Sequence, residues 1–234
     1  MIVVPKAFAD STIAREGERG AEWVASLPRV VSELCADWHV KPVGPVLHGY
    51  VAVVVPVDRD GEPIMLKVSW IDRSSEQEAL VLRAWNGDGA VRLLAAREDL
   101  GAMLLEGLEA DRTLEHVAID DAVRTASTLL RRLAIPAPAE LRTVTEELSD
   151  IRESLPEQWE RAGRPFGRRL LDASLDAASP DASGPTLRIV NQDLHYGNVL
   201  AARREPTGAC SQWACRGGRR RRSGNHDSRQ ARIR

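Results

Sequence analysis

The sequence of 234 residues contains little cysteine. Its three cysteines, Cys35, Cys210 and Cys215, are too few and too scattered to form a disulfide framework. The reducing cytoplasm is therefore the expected compartment. The formal net charge is only −2, which gives no reason to expect a nucleic acid or a membrane surface as the partner of the whole chain.

The chain also has no long hydrophobic run. The most continuous one, VAVVVPV at residues 51–57, is far shorter than the roughly 20 residues that a transmembrane helix needs. The first residues, MIVVPKAFADSTIAREG, lack the basic start and the long apolar stretch of a secretory signal peptide. Hydrophobic residues make up 43% and charged residues 28% of the sequence, so we expect a soluble, cytoplasmic protein.

The first half of the chain has the pattern of a small sheet with one helix. Two β-branched runs joined by Asp60 and Gly61 predict a β-hairpin, because this dipeptide favours tight hairpin turns. A short helix is predicted to follow, capped by Ser74 or Ser75 and ending at Trp85. The runs AVRLLAA at 90–96 and GAMLLEGLE at 101–109 predict two more strands.

Helical patterns flank this sheet. Residues 21–40 predict an amphipathic helix that is interrupted or bent near Pro28. After Thr113 the apolar residues recur at helical spacing in two stripes. These are Val123, Ala126, Leu130 and Leu133, and then Leu141, Val144, Leu148, Ile151 and Leu155. A small sheet followed by helices predicts an α+β protein of two lobes.

The segment VNQDLHYGNVL, residues 190–200, is the first candidate for a functional site. A buried strand has no use for Asp193 and Asn198, because a desolvated carboxylate or amide without partners costs several kcal/mol, on the order of 2–7. These side chains are therefore expected to coordinate a ligand. We call residues 190–200 the 190–200 loop.

Polar residues elsewhere give this loop a context. A hairpin, a lysine at the end of its second strand, a glutamate on the next helix and then Asp-x-x-x-x-Asn form the order of parts found in protein-kinase-like phosphotransferases. Lys67 is the expected phosphate ligand, held by an ion pair with Glu78. Glu76 is the alternative partner of Lys67. Glu76 and Glu78 are separated by two positions on a helix, so they cannot both face the lysine. Asp193 would accept the proton of the acceptor hydroxyl, and Asn198 would bind a magnesium ion.

Several segments resemble one particular family of phosphotransferases. NQDLHYGNVL resembles the His-Gly-Asp-Leu-His-x-Gly-Asn-Val-Leu loop of the aminoglycoside phosphotransferases. EQEALVLRAWNGDGAVRLLAA and AMLLEGLEADRTL are similar to segments of the branch called aminoglycoside/hydroxyurea antibiotic resistance kinase, or streptomycin phosphotransferase. The match runs from about Pro42 to about Pro206.

The resemblance implies a protein-kinase-like fold of two lobes, ATP and Mg²⁺ as cofactors, and a small aminoglycoside such as streptomycin as substrate. It implies that the backbone of a hinge at Leu104–Leu108, with Glu106, Gly107 and Leu108, meets the adenine. The implied division is an ATP-binding lobe at 1–108, a helical lobe with the 190–200 loop at 109–205, and an Arg-rich tail at 206–234.

Two positions depart from the family pattern. Asn191 stands where the family loop has a histidine, and Ser211 stands near the place of an aspartate that binds a second metal ion in the family. The switch to an Arg-rich composition after residue 205 is typical of a frameshifted or truncated reading frame. Because this metal-binding aspartate is missing, the chain as given is expected to be nearly inactive, and a catalytically inactive kinase-like fragment is the alternative.

The tail supports two weaker hypotheses. From Ala201 onward there are ten arginines and only two acids, Glu205 and Asp227, so this segment carries about +8. Four consecutive arginines at 219–222 would bind phosphate backbones if a stable surface presented them, which makes a nucleic-acid-binding protein the less favoured alternative. Cys210, Cys215 and His226 have only a weak resemblance to a zinc site, because one histidine accompanies the two cysteines.

Overall fold

The computed structural model describes residues 2–72, 75–178, 188–191, 193–203 and 213–215. The chain divides into two compact units. The first comprises Met1–Leu133 and Asn191–Arg234, and the second comprises Ala134–Val190. The predicted tail at 206–234 lies outside the described residues, apart from the backbone of 213–215.

An antiparallel sheet forms the centre of the first unit. Its strands are β1 (Lys41–Pro42), β2 (Leu47–His48), β3 (Ala52–Arg59), β4 (Glu62–Ser69), β5 (Leu93–Arg97) and β6 (Ala102–Glu106). They lie in the order β1-β3-β4-β6-β5, and β2 pairs with β3 beyond the main path. The predicted Asp60-Gly61 hairpin is confirmed, because Arg59 pairs with Glu62 and both turn residues have positive φ, 53° and 88°.

The two faces of this sheet have different neighbours. Helix α1 (Lys6–Asp37) packs on one face, where every second residue of β3 and β4 is buried. The main members of this core are Leu27, Val31, Leu34, Val53, Val55, Val57, Ile64, Leu66 and Val68. Helix α1 contains Pro28 without a break there, and its one non-helical residue is Gly17 (φ 65°, ψ −141°). The predicted bend near Pro28 is therefore wrong in position, since glycine alone adopts this conformation without strain.

Helix α2 (Glu78–Trp85) follows β4 and ends where it was expected. The predicted serine cap is wrong, because the helix begins after Gln77. Ser75 instead stabilises the preceding turn, in which its hydroxyl donates to the carbonyl oxygen of Trp70 and its N–H donates to the Asp72 carboxylate. At the other end of α2, the indole N–H of Trp85 donates to the carbonyl oxygen of Leu133 at 2.8 Å.

A second, smaller sheet continues the first unit. It consists of β7 (Leu108–Thr113), β8 (Val199–Ala202) and β9 (Trp213–Cys215), all antiparallel. Helix α3 (Ile119–Leu133) buries Ala122, Leu129 and Leu133. The predicted stripe on α3 is therefore partly wrong, since Val123 and Leu130 are 47% and 46% exposed. Leu129 and Leu133 pack beside Gly89, and this tertiary contact selects the buried face.

The second unit contains α4 (Val144–Arg161) and α5 (Arg168–Ala177). Thr143 and Glu146 form a capping box at the start of α4, in which each side chain accepts a hydrogen bond from the other residue's N–H. Trp159 and Leu171 are the buried residues of these two helices. No helix among the described residues combines the length and the apolar character that a membrane crossing demands.

These elements confirm the predicted α+β class with an antiparallel N-terminal sheet and helices after it.

Candidate active site

A buried ion pair lies on the face of the main sheet opposite α1. Lys67 occupies β4, between Val54 of β3 and Met103 of β6. Its Nζ lies 2.6 Å and 2.7 Å from the two carboxylate oxygens of Glu78, the first residue of α2. The side chains are 16% and 5% exposed. Glu76 is exposed, so the carboxylate that faces Lys67 is that of Glu78.

The 190–200 loop is held by its own polar side chains. A single 3₁₀ turn, Tyr196–Asn198, lies within the loop and leads directly into β8. Asn198 is 8% exposed, and its Nδ2 donates to the carbonyl oxygen of Asp193 at 3.0 Å and to the Asp193 carboxylate at 2.9 Å. The five-residue spacing thus brings the amide of Asn198 against the carboxylate of Asp193.

Asn191 supports the same aspartate from the other side. Its Oδ1 accepts a hydrogen bond from the N–H of Asp193 at 2.9 Å. An amide oxygen accepts such a bond as an imidazole nitrogen can, so the residue that departs from the family pattern still contacts the backbone of Asp193. The sequence identified Asn191 only as a departure and gave no sign of this contact.

One cavity of about 390 Å³ brings these groups together. It is lined by all four polar residues described above, Lys67, Glu78, Asp193 and Asn198. Lys67 and Asp193 are far apart in the sequence. The rest of the lining is apolar and was not predicted from the sequence; its main residues are Ala52, Val54, Met65, Val91, Leu105 and Leu200. The alternation of side chains along β3 and β4 could have revealed this lining, because successive residues of each strand face the core under α1 and this cavity in turn.

The predicted hinge is only partly on the cavity. Glu106 and Leu108 line it, whereas Gly107 does not. The N–H of Gly107 donates to the carbonyl oxygen of Pro63 at 3.1 Å, and a Cβ at this position would collide with that oxygen. Gly107 therefore allows the chain to pass close to the start of β4. The Glu106 carboxylate accepts from the N–H of Arg92 at 2.8 Å, which fixes it against the neighbouring segment.

A second carboxylate, missed by the sequence analysis, lies beside the 190–200 loop. Glu115 belongs to the 3₁₀ turn Leu114–His116 and is exposed. Its Oε1 occupies the space beside Gly197, where a Cβ would lie only 2.8 Å away. The absence of a side chain at Gly197 leaves room for this carboxylate beside the cavity lining that Gly197 and Asp193 share.

The oxygen atoms near Asp193 are of the kind that bind a hard metal cation. Asn198 uses its nitrogen toward Asp193, and its Oδ1 makes no hydrogen bond to the described residues. Magnesium prefers such oxygen ligands and completes its shell with water and phosphate oxygens. Among the described residues, no group of three or more His, Cys, Asp and Glu side chains could hold a metal ion alone. Ser211 and the cysteine and histidine side chains considered for zinc lie outside the described residues.

Comparison with known proteins identifies the family. A sequence model of the aminoglycoside/hydroxyurea antibiotic resistance kinases matches residues 37–214, which is 178 of the 234 residues. The chain belongs to this family. It is a phosphotransferase by family, which confirms the enzyme class expected from the 190–200 loop and Lys67.

Three relatives of this antibiotic resistance kinase are similar over 88% of its chain. Streptomycin 6-kinase of Streptomyces glaucescens is 37% identical over 209 residues, and streptomycin 6-kinase of Streptomyces griseus is 39% identical over 208. The matched segment covers 68% of each of these proteins. Hydroxyurea phosphotransferase of Kitasatospora aureofaciens is 37% identical over 211 residues, which cover 62% of it.

Proposed function

We propose that this kinase transfers the γ-phosphoryl group of ATP to a hydroxyl group of an aminoglycoside such as streptomycin, and thereby inactivates the antibiotic in the cytoplasm. One observation carries the proposal. A single cavity is lined both by the Lys67–Glu78 ion pair and by the Asp193–Asn198 pair. The first pair suits a phosphate chain, and the second suits a hydroxyl that loses its proton.

The donor nucleotide would bind against the sheet. The apolar side chains of β3, β4 and β6 offer a flat surface for the adenine, with Glu106 and Leu108 at its edge. The ammonium group of Lys67 would bind the α- and β-phosphates. Glu78 keeps the ammonium group in place, since both carboxylate oxygens are within 2.7 Å of it.

Asp193 is the proposed base. In the reaction the acceptor oxygen forms a bond to the γ-phosphorus, the bond from that phosphorus to the β,γ-bridging oxygen breaks, and ADP leaves with the electron pair. The hydroxyl proton passes to the Asp193 carboxylate. Asn198 donates to one oxygen of this carboxylate and so orients it before the substrate arrives.

Asn198 is the proposed metal ligand in this chain. When Mg²⁺ is bound, it offsets the negative charge of the phosphates. Asn198 would hold it through Oδ1, together with the phosphate oxygens of the nucleotide. A neutral amide is a weak ligand by itself, which is why the expected slow turnover remains part of this proposal.

The acceptor is inferred from the relatives and from charge. Two relatives are named for streptomycin and one for hydroxyurea. The Asp193 carboxylate lines the cavity and the exposed Glu115 carboxylate lies beside Gly197, so both would attract a cationic acceptor. Streptomycin, with its guanidinium groups, suits these carboxylates better than the neutral hydroxyurea.

The proposal is tested by incubating the purified chain with Mg-ATP and either streptomycin or hydroxyurea. Mass spectrometry would follow the addition of one phosphate to each acceptor. We expect phosphorylated streptomycin to accumulate faster than phosphorylated hydroxyurea, and product formation to stop when EDTA removes the magnesium. The matched control is Asp111→Ala, which removes an exposed carboxylate of β7 outside the cavity lining and should not alter the rate.

The alternative is a kinase-like chain that binds ATP but does not transfer its phosphate. The substitution at Ser211 favours it, because the family pattern implies a second metal-binding carboxylate there. The same assay separates the two functions. Tight ATP binding without any phosphorylated acceptor after prolonged incubation would contradict the proposed phosphotransferase activity and support the alternative.

A further inference from the structure

The turn between β2 and β3 forms one wall of the cavity. We call residues 47–52 the covering turn, and its members Leu47, His48, Gly49, Val51 and Ala52 line the cavity. Gly49 donates to the carbonyl oxygen of Ala52 at 2.9 Å, and Val51 accepts from Trp70 at 2.8 Å.

Arg15 of α1 reaches the tip of the covering turn. Its Nη1 donates to the carbonyl oxygen of Tyr50 at 3.2 Å, and its guanidinium carbon lies 4.6 Å from the centre of the Tyr50 ring. The Arg15 side chain is 20% exposed, and Glu16 orients it through a contact of 2.6 Å to Nε. A guanidinium group held over a ring and bonded to the adjacent carbonyl fixes both the backbone and the side chain of Tyr50.

Phe8 of the same helix holds the other side of the turn. Its ring lies 5.6 Å from the ring of His48, and Phe8 is fully buried. His48 itself is exposed, so this contact anchors one face of its ring to the core residue Phe8. The covering turn is thus contacted at His48 and at Tyr50 by residues two helical turns apart on α1.

Helix α1 is suited to this task by its break at Gly17. The part before Gly17 carries Arg15 and the core residue Phe8, and the part after it carries the core residues Leu27, Val31 and Leu34. Phe8 therefore joins the covering turn to the core, and Arg15 contacts the turn from the same part of α1. Almost all of α1 lies before the segment that matches the family, which begins at residue 37.

We infer that Arg15 is a positioning residue for nucleotide binding, and that it acts by holding the covering turn closed over the cavity through Tyr50, with Phe8 as its support at His48. This inference rests on the proposed use of ATP, but the contact of α1 with the turn stands independently. Arg15 does not line the cavity, so its effect is exerted through the turn.

The first measurement needs no nucleotide. In hydrogen–deuterium exchange of the full chain, Arg15→Ala should speed exchange of the amides at 47–52 and leave those of β4 unchanged. Arg29→Ala is the matched control, because Arg29 lies on the same helix, is exposed and pairs with Glu33 of that helix. It should leave the covering turn at the wild-type exchange rate.

The second measurement is the ATP dissociation constant by calorimetry, together with kcat and KM for ATP. Arg15→Ala should raise the dissociation constant and KM about three- to tenfold, with a smaller change in kcat, as expected for loss of a cation–π contact and a charged hydrogen bond. Arg15→Lys should restore part of the affinity, since it keeps the positive charge. Tyr50→Ala, at a residue that is 45% exposed, should reproduce the effect without risk to the core.

The outcomes separate this inference from the proposed function. Unchanged exchange at 47–52 in both Arg15→Ala and Tyr50→Ala would overturn the inference. Faster exchange with unchanged ATP affinity would overturn its functional part. If the wild-type chain itself binds no ATP, the proposed function fails, and faster exchange in both variants would then support only the structural contact of Arg15 with the turn.

Discussion

The Lys67–Glu78 ion pair is nearly shut off from water, so the charge of each partner is compensated mainly by the other. Breaking such a pair by removing one partner costs about 3–5 kcal/mol, because the remaining charge stays buried. A simple alanine substitution at Lys67 therefore changes stability as well as the site. A sound test at this residue separates the two effects.

Lys67→Ala is expected to weaken ATP binding and to lower the melting temperature. The double variant Lys67→Met/Glu78→Gln replaces both charges with neutral groups of similar size, so its melting temperature should stay closer to that of the wild type. Calorimetry should give at least a tenfold higher ATP dissociation constant for both, since a charged hydrogen bond to phosphate is worth about 1.5–3 kcal/mol. Unchanged affinity in the double variant would remove Lys67 from the nucleotide site.

A substitution at Asn191 tests whether a single hydrogen bond orients Asp193. Asn191→Ala removes the side-chain oxygen that accepts a hydrogen bond from the N–H of Asp193. The loss of this bond, worth about 0.5–1.5 kcal/mol, should lower kcat about three- to tenfold. ATP affinity should not change. Asn191→Asp keeps an acceptor oxygen at the same position and is expected to retain most of the turnover. Full turnover in Asn191→Ala, measured at saturating ATP, would mean that this bond does not orient Asp193.

Local sequence signals predicted elements well where the signal and the structure are both local. The Asp60-Gly61 hairpin followed from turn chemistry alone. The start of α2 did not, because Ser75 bonds to Trp70 and Asp72 in the preceding turn. Periodicity predicted α3 but not which face it buries, since contact of Leu129 and Leu133 with Gly89 decides that face.

Gly107, between β6 and β7, allows a test at the scale of elements. Gly107→Ala would place a methyl group against the carbonyl oxygen of Pro63, which should cost about 1–3 kcal/mol of stability and weaken ATP binding by moving Glu106 and Leu108. Gly44→Ala is the matched control, because its Cβ would lie 3.5 Å from Pro56, an ordinary contact. Urea unfolding would measure the difference. Equal stability of the two variants would contradict the close approach of Gly107 to β4.

Across the whole molecule, the cavity is assembled from segments that are distant in the sequence. Lys67 lies in the main sheet, whereas Asp193 is brought to the cavity by β8, whose Ala202 pairs with Leu108 of β7. No local pattern predicts this pairing, and the order of the motifs and the family resemblance were the available guides. They selected Lys67, Glu78, Asp193 and Asn198 as candidates, and these four residues line one cavity. They did not indicate the apolar lining or the contacts of Asn191 and Arg15.

Asp193→Ala tests the central claim, that this cavity transfers phosphate with Asp193 as the base, most directly. Single-turnover transfer from labelled ATP to streptomycin, with the chain in excess, detects even slow chemistry. Because the base acts in the transition state, the variant should lose about 10²–10⁴-fold in rate while its ATP dissociation constant, measured by calorimetry, changes less than about threefold. Asp111→Ala should match the wild type in both measurements. A rate retained within about threefold in Asp193→Ala would contradict the claim, because a general base is expected to contribute far more than that.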